Sequence, residues 1–184
     1  MSLALRSSLL LLLATFSWAQ QMGQQGTSFK HFATIDTHVY VGSKPHTDKD
    51  FEYLQSQHVR YILNARFLPF LSGAEKRKAQ HYGMEFLSVP MNASPIPPMR
   101  RHVDKILLTM HDAQFQPIYL HCVLGRDRTS LLSGLYKIYF LGVSQSDALA
   151  EMRQSGFRTT WFLHGLKTYF EKNAGRKQES AAKR

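Results

Sequence analysis

The chain has one cysteine, Cys122, among its 184 residues. A single thiol excludes both a disulfide within the chain and a four-thiolate metal site. The nine histidines are scattered, without a His-x3-His pair or an adjacent carboxylate cluster, so no metal site is expected. Because a chain of this length can bury a large core without a metal or disulfide, no cofactor is expected either.

Acidic residues are also scarce. Asp and Glu number 13 against 23 Lys and Arg, which gives a formal net charge of +10. This excess favours an anionic partner such as nucleic acid, lipid headgroups or a phosphorylated substrate. No basic stripe interleaved with aromatic residues and no reading helix stands out, so nucleic acid is not an expected partner.

A membrane-spanning run is missing, because the longest apolar stretch is far short of the ~20 residues that a bilayer requires. That stretch lies in residues 1–19, which have the three parts of a cleavable signal peptide. Arg6 gives the positive start, Leu9 to Phe16 the apolar centre, and Ser17-Trp18-Ala19 a cleavage signal before Gln20. We expect the protein to be exported, periplasmic or secreted, without a stable membrane anchor.

The remaining chain is expected to form one domain. Residues 20–28 are polar and rich in Gln and Gly, which predicts a flexible lead-in, and residues 173–184 form a polar, basic tail. Between them, residues 29–172 alternate between strand-like and helix-like stretches. This alternation predicts an α/β sandwich, with a central, mostly parallel sheet of about 4–5 strands flanked by helices.

Four short apolar runs are predicted strands: residues 39–41, 61–63, 86–89 and 118–120. Apolar spacing and capping residues predict the helices. One helix begins at Thr47, whose capping partner is Asp50, and another has Pro98 in its first turn and Val103, Ile106, Leu107 and Met110 inward. The others cover 75–81, 131–139, 144–154 and 160–172. In parallel sheets ligands lie beyond the carboxyl ends of the strands, so the chemistry is expected at that edge.

The last predicted strand runs directly into Cys122, which therefore lies between a strand end and a helix N-terminus. Successive backbone amides in such a turn bind anions, and the helix dipole adds to the effect. The same field favours a thiolate over a thiol. Because Gly125 has no Cβ, it can adopt backbone conformations that other residues avoid, and a phosphate can approach its backbone closely.

Two further side chains of this loop suit a phosphoryl group. Arg128, six residues after the cysteine, can place its planar guanidinium on two phosphate oxygens. Thr129 can donate a hydrogen bond to the sulfur. Together with the amides, these groups would stabilise the transition state of in-line phosphoryl transfer to sulfur.

The segment HCVLGRDRTS at residues 121–130 resembles the signature loop of the cysteine-dependent protein-tyrosine and dual-specificity phosphatases, with its Cys-x5-Arg-Ser/Thr pattern. VYVGSKP, YILNAR and ALAEMRQSGF resemble opening strands and a late helix of their small members. The resemblance implies a protein-tyrosine-phosphatase-like sandwich and hydrolysis through a phosphocysteine intermediate. It implies Cys122 as nucleophile and Arg128 as phosphate clamp. It also implies that Thr129 aids release of the thiolate and that His121 orients the loop.

One expected residue is absent. The family carries a general-acid aspartate some thirty residues before the cysteine, but Asn92 occupies that place and no carboxylate occurs between Glu85 and Asp104. An asparagine cannot protonate a leaving oxygen. Asp127, inside the loop, is the best substitute, because some bacterial phosphatases with similar loops are thought to use that aspartate; bracing the loop is its alternative role.

The substrate is indicated less directly. Basic residues follow the predicted strand ends, and by the carboxyl-edge rule they could face one pocket: Lys44, His46, Arg66, Arg100, Arg101 and Arg126. With Val123, Leu124 and Gly125 of the loop, they are the candidate substrate-binding residues. An exported, basic, single-domain chain resembles the bacterial protein-tyrosine-phosphatase-like phytases, which implies an inositol polyphosphate substrate.

Two alternatives stay open. A phosphoprotein substrate would make the chain a protein-tyrosine or dual-specificity phosphatase. The missing upstream aspartate also fits a phosphate-binding module without catalysis. The sequence does not determine the oligomeric state.

Overall fold

The computed structural model describes residues 26–176. The segment predicted as a signal peptide, residues 20–25 of the lead-in and residues 177–184 of the tail lie outside the described residues. Ser28, at the end of the lead-in, donates its amide and its hydroxyl to the Asp50 carboxylate, each at 2.6 Å.

Five short strands form one sheet: β1 (Ala33–Asp36), β2 (Val39–Gly42), β3 (Tyr61–Asn64), β4 (Glu85–Ser88) and β5 (Ile118–His121). Their order is β1-β2-β5-β3-β4. β1 pairs with β2 antiparallel, and all other pairings are parallel. The carboxyl ends of β2 to β5 therefore meet at one edge, and the predicted mostly parallel sheet is confirmed.

Within residues 26–176, six α-helices connect and cover the strands: α1 (Asp48–Ser56), α2 (Gly73–His81), α3 (Arg100–His111), α4 (Asp127–Leu141), α5 (Gln145–Gln154) and α6 (His164–Asn173). Short 3-10 turns occupy Pro69–Ser72, Ala113–Phe115 and Trp161–Leu163. No helix of the described residues combines the length and apolar character needed to cross a bilayer.

Both faces of the sheet are buried. Neighbouring residues of a strand point to opposite faces, so Leu63 and Leu120 pack under α3 to α6, whereas Ile62 and Tyr119 pack under α1 and α2. The apolar residues at Val103, Ile106, Leu107 and Met110 of α3 are buried as predicted. The result is a three-layer sandwich whose functional edge lies beyond the strand ends.

The start of α1 confirms a prediction from side-chain chemistry. The Thr47 hydroxyl accepts a bond from the Asp50 amide, and the Asp50 carboxylate accepts one from the Thr47 amide. Burial acts to raise the pKa of Asp50, but hydrogen bonds from Ser28, Thr47 and His46 outweigh it and lower the pKa. Asp50 thus joins the chain before β1 to the first helix.

Some predicted boundaries are wrong. β1 was not predicted, because only Ile35 of its four residues is buried. Pro98 was placed in the first turn of a helix, but α3 begins at Arg100. The helix predicted over 160–172 is divided into the turn at Trp161–Leu163 and α6.

Candidate active site

The loop between β5 and α4 positions the only thiol of the chain. β5 ends at His121, α4 begins at Asp127, and Cys122 follows the strand directly, with 3% of its surface exposed. Within the described residues, no backbone acceptor hydrogen-bonds the amides of residues 123–126. These donors remain available for an anion beside the sulfur, at the positive end of a 15-residue helix.

Backbone packing explains the glycine of this loop. Gly125 has a φ of +68°, in the left-handed region, and a Cβ there would lie 2.4 Å from backbone atoms of Gly42 and Ser43. The Lys44 amide also donates to the Val123 carbonyl at 3.1 Å. The end of β2 therefore supports the loop through main-chain contacts that only glycine permits.

A buried charge network lies behind the thiol. Nδ1 of His121 is 2.8 Å from the Cys122 carbonyl oxygen. Nε2 of His121 is 2.9 Å from Oε1 of Glu75, but the two atoms are not aligned as a hydrogen bond. The other Glu75 oxygen is 2.7 Å from the Arg66 guanidinium. The ring of His121 is thus held between the Cys122 carbonyl and the Glu75 carboxylate. This fixes the carbonyl next to the nucleophile, as the predicted orienting role requires.

Glu75 is held as a carboxylate. Burial acts to raise the pKa of Glu75, but the interactions with His121, Arg66 and Lys44 outweigh it and bring the pKa below its ordinary value of 4.5. Glu75 could not be predicted from the sequence, because a glutamate in a polar helix has no signal that marks it as buried.

Replacing Glu75 by glutamine is expected to lower the free energy of unfolding by roughly 3 kcal/mol, because the largely buried Arg66 guanidinium loses its counter-charge and His121 loses its carboxylate partner. A depressed folded-state pKa stabilises the protein above pH 4.5 and loses that contribution as the pH falls below it. The wild type should therefore lose stability below that pH more steeply than Glu75→Gln. Urea unfolding at neutral and acidic pH measures both effects, with the exposed Glu52→Gln as control. Equal unfolding curves for wild type and Glu75→Gln would contradict the role assigned to the network.

A cavity of about 300 Å³ opens at the loop. Its charged and reactive lining consists of Cys122, Asp127, Arg128 and Arg158, and its apolar lining includes Val123, Leu124, Phe162 and Leu163. The guanidinium of Arg128 donates to the Met91 carbonyl at 3.2 Å, which ties the clamp to the loop after β4. The predicted nucleophile, phosphate clamp and substitute acid thus share one cavity.

Asp127 also positions the second arginine. Its Oδ1 accepts from the Arg158 amide at 3.4 Å and lies 3.8 Å from the Arg158 side chain. Its Oδ2 is 3.5 Å from the side chain of Arg126. Asp127 therefore both braces the loop and lines the cavity, so the structure is compatible with both roles considered for it.

Thr129 does not make the bond predicted for it. Its hydroxyl is buried and has no hydrogen-bond partner among the described residues. The residue lines a smaller cavity of about 80 Å³ with Ser130 and Gly125, on the other side of the loop from the cavity that contains Cys122. The hydroxyl is therefore not bonded to the sulfur in this state.

The side chain of Asn92, the residue in place of the expected acid, forms hydrogen bonds within its own loop. The Asn92 amide donates to the Ser94 hydroxyl at 3.0 Å and to the Ile96 carbonyl at 2.8 Å. Its neighbour Ala93, not Asn92, lines the cavity. Asn92 thus shapes the proline-rich segment after β4.

The predicted outer basic residues are not among those that line the cavity. Arg66 is bound to Glu75, Arg100 is bound to Asp104, and Arg101 lines a separate cavity on α3. The stem of Arg126 packs over Gly156, and Lys44 acts on Glu75 through its charge. Their role in substrate binding stays a prediction.

Sequence reasoning missed Arg158 and Phe162. Both lie in the segment between α5 and α6, which carries no motif, and only the fold brings that segment over Cys122. Residues 26–176 contain no group of three or more His, Cys, Asp and Glu side chains that could hold a metal ion.

No protein-family model matches the sequence, and no curated protein sequence matches it significantly. The catalytic core of SIW14 from S. cerevisiae, a PP-IP phosphatase, matches the structure with a TM-score of 0.66 and 19% identity, over 76% of this chain and 85% of that chain.

TpbA from P. aeruginosa matches with a TM-score of 0.64 and 18% identity, over 81% of this chain and 92% of that chain. A TpbA variant in complex with phosphotyrosine matches with a TM-score of 0.63 and 20% identity, over 76% and 82% of the two chains. At these identities the likeness concerns the fold. The chain thus has the fold of the protein-tyrosine-phosphatase-like phosphatases.

Proposed function

We propose that the protein is a cysteine-dependent phosphomonoesterase with Cys122 as its nucleophile. The observation that carries this proposal is the meeting of Cys122, Arg128 and Asp127 in one cavity, beside loop amides that have no backbone acceptor among the described residues. A nucleophile, an oxyanion site and a proton donor are the three parts that phosphate-ester hydrolysis through an enzyme intermediate requires.

The reaction then proceeds in two steps. The Cys122 thiolate attacks phosphorus, the bond to the leaving oxygen breaks, and Asp127 in its protonated form gives that oxygen a proton. Water next attacks the phosphocysteine, Asp127 takes a proton from it, and inorganic phosphate leaves the regenerated thiolate. The loop amides and Arg128 hold the equatorial oxygens in both steps.

The acid role of Asp127 predicts a dependence on the leaving group. Asp127→Asn should lower turnover of an alkyl phosphate by about 10²–10⁴-fold, the usual range for a general acid. Turnover of p-nitrophenyl phosphate should fall much less, because its leaving group departs without a proton. Steady-state rates on both substrates measure this difference. An equal loss on both would assign Asp127 to bracing Arg158 and the loop instead.

The substrate that we propose is an inositol polyphosphate. Two arginines, Arg128 and Arg158, line the cavity, and the net charge of +10 favours a polyanion. SIW14, which shares the fold, is a PP-IP phosphatase. Arg158 is half exposed beside Asp127, a position suited to a phosphate next to the one under attack.

A phosphotyrosine substrate is the second candidate. The apolar lining of Val123, Leu124, Phe162 and Leu163 could contact an aromatic ring, and a variant of TpbA binds phosphotyrosine. A polyanion uses both arginines, whereas a phosphotyrosine needs only one.

A substrate panel distinguishes these candidates. Inositol hexakisphosphate should be hydrolysed faster than a phosphotyrosine peptide at equal concentration, and added salt should depress the rate. Arg158→Gln should reduce kcat/KM for the inositol phosphate by about tenfold and leave the peptide nearly unchanged, because one exposed charge pair is lost. Faster hydrolysis of the peptide, unaffected by Arg158→Gln, would support the phosphotyrosine function.

We also propose that residues 1–19 direct export to the periplasm or beyond. The three-part pattern of this segment supports the proposal. An unpaired thiol in an oxidising compartment is prone to oxidation and to pairing with other thiols. Burial of Cys122, of which 3% is exposed, limits both reactions. Sequencing the N-terminus of the exported protein should give Gln20 as its first residue, and an intact Met1 would contradict the proposal.

A further inference from the structure

Exposed apolar side chains are concentrated in a few loops. Among the described residues, every large apolar side chain that is more than half exposed lies after β3, after β4 or between α5 and α6. They are Phe67, Phe70, Leu71, Ile96, Met99, Trp161 and Phe162, with exposed fractions from 51% to 80%. We call this set the apolar rim.

The apolar rim lies at the edge of the sheet that carries the candidate active site. Phe162 lines the cavity that contains Cys122. The Ser94–Ile96 segment packs on the start of α6, where Gly165 donates to the Ser94 carbonyl at 3.2 Å. A Cβ at Gly165 would lie 2.3 Å from the Ile96 carbonyl oxygen. The loops after β3 and β4 leave the same sheet edge as the loop of Cys122, so the rim occupies the face onto which the cavity opens.

Acidic residues are scarce in two segments of this face, although Asp127 lies beside Arg158 and Asp104 pairs with Arg100. No Asp or Glu occurs in residues 86–103 or 157–170, which contain Arg100, Arg101 and Arg158. Side chains of Arg100 and Arg158 are 66% and 52% exposed. Such a combination of exposed aromatic side chains and cations, with few acidic residues, is typical of surfaces that bind anionic lipid.

We propose that the apolar rim docks the active-site face on a bilayer that contains anionic lipids. Three of the most exposed side chains, Phe70, Ile96 and Trp161, belong to three different loops. Separate apolar tips can each enter a fluid acyl boundary, whereas a rigid protein partner must match all of them with one complementary surface. The flanking arginines meet lipid phosphates, which complements the net charge of +10.

This inference concerns binding and does not depend on the proposed phosphatase reaction. It is tested on the full chain carrying Trp18→Phe, so that Trp161 is the only tryptophan. Vesicles of phosphatidylcholine, with and without phosphatidylglycerol, are used for co-sedimentation. Brominated phosphatidylcholine in the same vesicles reports whether Trp161 enters the bilayer, independently of any contribution from residues 1–19.

Binding to the anionic vesicles should quench Trp161 and should weaken with added salt. Phe70→Ser combined with Trp161→Ser should reduce the partition coefficient at least ~10-fold. The matched control, Leu108→Ser combined with Leu141→Ser, changes two exposed leucines outside the rim and should bind like the parent. Turnover of p-nitrophenyl phosphate should be the same in all these variants, which separates this test from that of the proposed function.

Absence of Trp161 quenching in the anionic vesicles would overturn the proposal, even if the protein sediments with them. Equal loss of binding in both double variants would show that the apolar rim is not the membrane-binding surface, which would contradict the proposal. Self-association that is measured by sedimentation velocity and abolished only by the rim variant would show that the rim is a protein interface instead.

Discussion

Replacing Cys122 by serine is expected to reduce phosphate release from p-nitrophenyl phosphate by about three orders of magnitude or more. The sulfur lies at the end of β5, beside loop amides that have no backbone acceptor within residues 26–176 and that can stabilise a negative charge. A serine hydroxyl in the same place has no neighbouring base among the cavity's lining residues except Asp127, and it is a far weaker nucleophile than a thiolate. Release of phosphate under initial-rate conditions measures the loss.

The same variant should still bind inorganic phosphate, because its amides and Arg128 are unchanged. Calorimetric titration of Cys122→Ser with phosphate is the control for folding and for the site. If the wild type binds phosphate but releases none from any ester, the protein would be a phosphate-binding module without catalysis. A Cys122→Ser variant with wild-type rates would contradict the nucleophile assignment.

The second large effect concerns the phosphate clamp. Arg128→Lys keeps the positive charge but loses the planar pair of donors, and kcat should fall by about 10²–10³-fold, the usual cost of one preorganised transition-state donor. KM should change less, because the donors act most strongly on charge that develops during transfer. Steady-state kinetics on p-nitrophenyl phosphate separate the two parameters.

Arg60→Lys is the matched control. Arg60 is exposed, donates to the Gln116 carbonyl and precedes β3 at the opposite edge of the sheet. Its replacement should leave kcat unchanged. If Arg128→Lys raised KM alone and left kcat at the wild-type value, Arg128 would be a ground-state binding residue, and the transition-state role would be wrong.

The sequence predicts those parts of the fold that depend on local patterns. The capping box of Thr47 and Asp50 and the apolar spacing in α3 are such patterns, and both are confirmed. The loop at Cys122 is predicted for the same reason, because strand, turn and helix follow one another within a few residues. β1 escapes prediction, since an edge strand with a single buried residue, Ile35, has no apolar alternation.

The parts of the site that could not be predicted come from distant segments. Glu75 reaches His121 only because α2 packs over the face of β5 that carries His121, and Arg158 reaches the cavity only because the segment after α5 returns to the strand edge. The Cys122 loop lies at the carboxyl ends of the parallel strands, as the edge rule predicts, but that rule does not say which basic residues are already paired. Arg66 and Arg100 each have a carboxylate partner, and pairing is a tertiary property.

The most direct test of the central claim is detection of the intermediate on Cys122. The wild type and Asp127→Asn are mixed with p-nitrophenyl phosphate, quenched in acid within one turnover, digested and measured by mass spectrometry. The account predicts one added phosphoryl group on the peptide that contains Cys122, with more of it in Asp127→Asn, where water attack on the phosphocysteine is slower. Full phosphate release with no phosphorylated Cys122 peptide at any quench time would contradict the account.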